Sequence, residues 1–129
     1  MNFKNFTYEV RLMKIAEDGT IGLILRYNEA KDEGYLFHVW PHGDYQFLKF
    51  KTDDQVILNK GHPIYFNREL NTWNTIKIVC NEAKFVVYIN GDFLVSIKDV
   101  TYSVGKVGLL IGGDPRQRAK FEVISLIMN

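Results

Sequence analysis

Arg26, His38, Trp40 and Gln46 combine cation, imidazole, indole and amide at spacings that a β-strand can turn to one side. If Leu23, Leu25, Phe37 and Tyr45 point into a core, period-two alternation sends these four outward, joined by Glu9 and Arg11 from the first strand. That mixture suits a sugar. An aromatic plane stacks on the apolar face of a pyranose, while Arg, Gln and His hydrogen-bond its hydroxyls. The competing reading is an ordinary outer surface, with Trp40 packed under a loop and Arg26 paired with Glu9. A register slip of one residue would reverse the assignment.

Other chemistries find less support. His38 and His42 form a close pair, but a strand residue and a turn residue need not converge, and no third ligand is evident. Asp18, Asp44, Asp92 and Asp114 fall in turns without a calcium-ligand spacing, so no metal or cofactor is expected, and calcium is kept only as an alternative that no ligand motif supports. No nucleophile elbow is present, and no Gly-rich loop leads into a helix to cradle phosphate. The acidic pairs Glu17-Asp18 and Asp53-Asp54 read as solvated turn charges. Cys80, the single cysteine, ends the apolar alternation Ile76-x-Ile78-x-Cys80 and reads as a small core residue. The densest positive stretch, Arg116-Gln117-Arg118-Ala119-Lys120, is either a solvated loop or a contact for an acidic glycan or protein partner.

Sixteen basic against fifteen acidic residues leave a formal charge of +1, so no bulk field draws nucleic acid or an acidic lipid surface. No apolar run approaches the roughly 20 residues of a membrane span. The start, MNFKNFTYEV, lacks the pattern of a signal peptide, and Asn5-Phe6-Thr7 is read as a chance sequon. The compartment is left open. A chain of 129 residues, 47% hydrophobic, suits one domain with one core over residues 1–129.

The elements that must position these side chains read as strands. Alternation marks Asn5 to Met13, Ile21 to Tyr27, Tyr35 to Trp40 and Tyr45 to Phe50, with a charged loop at Asn28 to Gly34 and turn residues at Pro41 to Asp44. Val56 to Leu58 is a short apolar piece, and Asn59 to Thr72 is the longest candidate loop. Asn90-Gly91 sits between apolar runs, a signature of a type I′ hairpin because both residues need positive φ. The expected pairs are Tyr88 with Phe93, Val86 with Val95, Val87 with Leu94 and Phe85 with Ser96. Apolar on both faces, this hairpin is expected at the centre of a sheet. Lys106 to Ile111 and Phe121 to Met128 complete about ten strands. The expected class is all-β, with no substantial helix.

Several motifs add a resemblance. Gly22-Leu23-x-x-Arg26-Tyr27, Tyr35-x-Phe37, Gly43-x-Tyr45-x-Phe47-x-Lys49, Trp73-Asn74-x-Ile76-Lys77-Ile78, Val87-Tyr88-Ile89-Asn90-Gly91, Gly105-Lys106-Val107-Gly108-Leu109 and Phe121-Glu122-Val123 follow in order. Together they resemble the concanavalin A-like lectin/glucanase superfamily, in its laminin-G-like and family-16-like forms. The resemblance implies an antiparallel two-sheet jelly-roll sandwich with one concave sheet. The Glu-x-Asp-x-x-Glu of catalytic relatives is absent, as is the galectin pair His-x-Asn-x-Arg and Trp-Gly-x-Glu. The expected function is therefore a non-catalytic, lectin-like module with a glycan on the concave sheet or adjacent loops. The alternative is a protein-interaction or assembly domain without sugar binding. Relatives often carry further strands before the position of Asn5, so an uncovered edge, and with it a homo-oligomer or a protein partner, is also expected.

Overall fold

The computed structural model describes residues 2–14, 20–40, 42–62, 67, 69, 71–112 and 119–129. Ten antiparallel strands form two five-stranded sheets. They are β1 (Phe6–Lys14), β2 (Thr20–Asn28), β3 (Glu33–Val39), β4 (Tyr45–Lys51), β5 (Asp54–Gly61), β6 (Trp73–Asn81), β7 (Lys84–Ile89), β8 (Asp92–Lys98), β9 (Lys106–Gly112) and β10 (Ala119–Met128). One sheet runs β10-β1-β6-β7-β8, the other β5-β4-β3-β2-β9. The described residues contain no helix. The all-β sandwich expected from alternation is the fold.

Period two explains how the core forms. Phe6, Tyr8, Val10 and Leu12 of β1 face Leu23, Leu25, Tyr35, Phe37 and Phe47 of the opposite sheet, and all are buried. At the centre, the Phe85 ring lies 4.6 Å from Tyr35 and 5.3 Å from Phe47, centroid to centroid. Cys80 is buried and free, and burial pushes its thiol up to about 12. It packs as the expected small core residue.

The Asn90-Gly91 turn has φ of 52° and 86°, as a type I′ turn requires. The rest of that hairpin differs from expectation. Tyr88 pairs with Phe93, but a bulge follows, so Val87 meets Val95, Val86 meets Ser96 and Phe85 meets Ile97. The extra residue, Leu94, absorbs the shift. Nor is the hairpin central, because β8 is the edge strand of its sheet. Of its outward apolar residues, Phe93 is exposed, while Val86 and Tyr88 are half-buried.

Candidate functional site

The outer face of the β5-β4-β3-β2-β9 sheet carries the site. Register places Leu110, Gly22, His38, Gln46 and Lys60 side by side in one row across all five strands. His38 lies against Gln46, with Nε2 and Oε1 3.1 Å apart. Burial lowers the His38 imidazole below its usual range, opposed by the Gln46 hydrogen bond, so it is neutral near pH 7. As a neutral ring donating from Nε2 to Gln46, it leaves the Gln46 amide N–H groups to face a ligand. Gly22 is needed beside it: a Cβ there would lie 2.7 Å from the Phe37 carbonyl oxygen and 2.8 Å from the His38 Cβ.

Beyond this row the β3–β4 connection folds back on itself. The Trp40 N–H donates to the Asp44 carbonyl at 2.9 Å, and the Gly43 N–H donates to the Trp40 carbonyl at 2.9 Å. Gly43 has φ of 98°, which favours glycine. The turn stands Trp40 between two imidazoles, with the His38 ring 4.5 Å away and the His42 ring stacked at 6.3 Å and 11°. Asp44 in turn meets both loop histidines: His62 Nδ1 contacts its Oδ1, and His42 Nδ1 lies 3.6 Å from its Oδ2. Trp40, His42, Asp44, Tyr45, Gln46, Lys60, Gly61 and His62 enclose an open pocket of about 600 Å³. Indole, amide, ammonium and imidazole donors and one carboxylate acceptor therefore converge on a single space.

His38, Trp40 and Gln46 thus share the face on which alternation places them. Arg26 does not. It occupies a bulge with φ of 50°, where the β2 register shifts against both neighbours, and only 1% of the residue is exposed. The bulge breaks the alternation and drives the guanidinium inward. There Nε and Nη2 donate to the Lys4 carbonyl at 3.2 and 2.7 Å, Nη2 to Glu82 at 2.8 Å and Nη1 to Tyr102 at 3.1 Å. Its Cζ also stands 4.9 Å from the Phe85 ring centroid. Arg26 ties three chain segments together and takes no part in the pocket.

Glu9 and Arg11 also separate from the others, because β1 belongs to the opposite sheet. Arg11 lies 4.0 Å from the Trp73 ring centroid and pairs with Glu122 at 2.5 Å. Arg116 and Arg118 lie outside the described residues. Among the described residues, no group of three His, Cys, Asp or Glu side chains is placed to hold a metal.

Lys60 and His62 are lining residues that a loop from Asn59 to Thr72 conceals. In the structure β5 continues to Gly61, and the Gln46–Lys60 register carries Lys60 to the pocket. A bulge between Phe47 and Leu48 spoils the alternation of Val56, Ile57 and Leu58. The readable signal was the polar run Asn59-Lys60-Gly61 following directly on those residues.

No protein-family profile and no curated protein matches the sequence. Solved structures do match the fold. A carbohydrate-binding module, CBM66, from Bacillus subtilis superposes with a TM-score of 0.82 at 21% identity, over 98% of this chain and 77% of that one. A tetrameric galectin from the ball sponge Cinachyrella sp. gives 0.66 at 15% identity, over 98% and 92%. A candidate glycosyl hydrolase from Parabacteroides distasonis gives 0.68 at 13%, over 99% and 73%. The chain shares the antiparallel jelly-roll sandwich fold of these structures. The narrower laminin-G-like assignment rests on the turn motifs alone.

Proposed function

We propose that this protein is a non-catalytic glycan-binding module whose ligand sits in the Trp40 pocket. The observation that carries this is the convergence of a half-buried indole with Gln46, Lys60 and two imidazoles on one open space. A pyranose needs an aromatic platform and donors forked toward hydroxyls, and the pocket offers both. Similarity in fold to a carbohydrate-binding module and to galectins supports the reading without fixing the ligand. Among the described residues, Asp44 is the sole acidic side chain lining the pocket, whereas glycoside cleavage by the usual route needs two facing carboxylates. The proposed activity is therefore retention of sugar, without cofactor and without calcium. A glycan array probed with the purified chain, with calcium and with chelator, tests this. The expected result is a saturable signal, equal in both buffers and lost in Trp40→Ala. A signal that survives Trp40→Ala would remove the ligand from this pocket.

A second reading is assembly through the open side of the sandwich. Leu109 and Ile111 of β9 pair with the buried Leu23 and Ile21, yet they are 37% and 44% exposed. Val123 of β10 pairs with the buried Val10 and is 51% exposed, and Met128 is 63% exposed. Core-directed residues left bare on two edge strands favour a covering surface. The two readings are compatible, because the Trp40 pocket and β10 belong to different sheets.

A further inference from the structure

We infer that the ligand carries an apolar group on its sugar, and that a second pocket on the same sheet face receives it. This rests on the proposed glycan site. The row next to His38 and Gln46 consists of Ile24, Leu36 and Leu48, aligned by register across β2, β3 and β4. Leu48 is 1% exposed, buried within that row. Beyond it, Ile24, Leu36, Phe50 and Leu110, rimmed by Tyr27, Asp32 and Thr52, enclose about 370 Å³. Trp40 to Leu36, and Gln46 to Phe50, are each four residues along a strand, which separates the two pockets by roughly 13 Å.

The chemistry of the second pocket distinguishes an apolar occupant from another sugar. Its walls are chiefly aliphatic carbon. The Tyr27 hydroxyl on the rim donates to Asp32 Oδ1 at 3.0 Å, which engages these two polar groups with each other. The Tyr27 ring lies 6.0 Å from Phe50, extending the apolar wall. A sugar in the first pocket, joined along the strand direction to an alkyl or aryl aglycone in the second, satisfies both sites. The structure thus fits an amphiphilic glycoside.

Titration with n-alkyl glucosides, galactosides and mannosides, from methyl to octyl and below their micelle concentrations, tests the inference. The sugar that binds as a methyl glycoside should bind about equally with the shortest chains, which lie between the pockets, and then more tightly by roughly two- to fourfold per added methylene once the chain reaches the second pocket. In Leu110→Gln, and separately in Ile24→Thr, the climb should flatten while the methyl glycoside binds as before. Thermal melting establishes that each variant is folded. A methyl glycoside that binds with no gain from the alkyl chain would overturn the inference and leave the glycan site standing. A climb that persists in both variants would also overturn it, placing the chain elsewhere. Absence of binding by every compound in the series would overturn both proposals.

Discussion

Arg26 is the side chain on which one end of the sandwich depends. A buried guanidinium has no water to solvate it, and here it is held by the carbonyls of Lys4, Glu82 and Tyr102. Lysine cannot reproduce that planar fork. Arg26→Lys should lower unfolding free energy by about 2–4 kcal/mol in urea denaturation, while the folded fraction binds glycan normally. Wild-type stability in Arg26→Lys would contradict the assignment. Asp99 is a second buried polar point. Tyr35 Oη donates to its Oδ1 at 2.6 Å, and Lys49 Nζ lies 3.3 Å from Oδ2. Burial raises its pKa, but hydrogen bonds from Thr101, Tyr35 and Lys49 outweigh that and bring it to about 2. Since the folded value lies below the unfolded value of about 4, the contribution is complete above pH ~4 and is lost as pH falls toward 2. Allowing for partial solvation, it is of order 1–2 kcal/mol. Denaturation of wild type between about pH 5 and pH 2 should show this loss, and Asp99→Asn should lack it.

At the scale of strands, the site depends on the close approach of β2 to β3. A Cβ at Gly22 must displace either the Phe37 backbone or His38. Gly22→Ala should therefore cost about 1–3 kcal/mol and weaken glycan binding together, read by melting and titration. Unchanged affinity would show that His38 needs no fixed position. How much of these elements the sequence reveals depends on bulges. Where alternation is unbroken, as in Phe6-Tyr8-Val10-Leu12, or where a turn demands particular φ, as in Asn90-Gly91, the strand and its inward face are legible. Alternation sets His38, Trp40 and Gln46 on one face for that reason. Each bulge inverts the parity after it and has no reliable signature in residue type. Arg26 was misplaced by one such bulge, the Lys60 end of β5 was obscured by another, and the Phe85 and Val87 partners by a third. Sheet membership of β1 is a matter of long-range pairing, which alternation does not encode, so Glu9 and Arg11 were grouped with the wrong face.

On the scale of the whole molecule, the two proposed surfaces face different ways. The proposed glycan pocket lies on the outer face of β3, β4 and β5, whereas the bare residues Leu109, Ile111 and Val123 of the edge strands β9 and β10 are directed toward the core. Light scattering after size exclusion should show mass rising with concentration, and Val123→Lys combined with Met128→Lys should abolish the rise. A constant monomer mass would contradict assembly through β10 without touching the sugar site. The two tryptophans supply an internal control for the central claim. Trp40 stands in the proposed pocket, whereas Trp73 lies under Arg11 on the opposite sheet. The decisive measurement is a ¹H–¹⁵N NMR titration of the chain with the glycan that gives the strongest array signal. The Trp40 indole N–H and the Gln46 side-chain amide should shift with saturation while the Trp73 indole stays fixed. Movement of Trp73 with a stationary Trp40 would place the ligand on the other sheet and contradict the account.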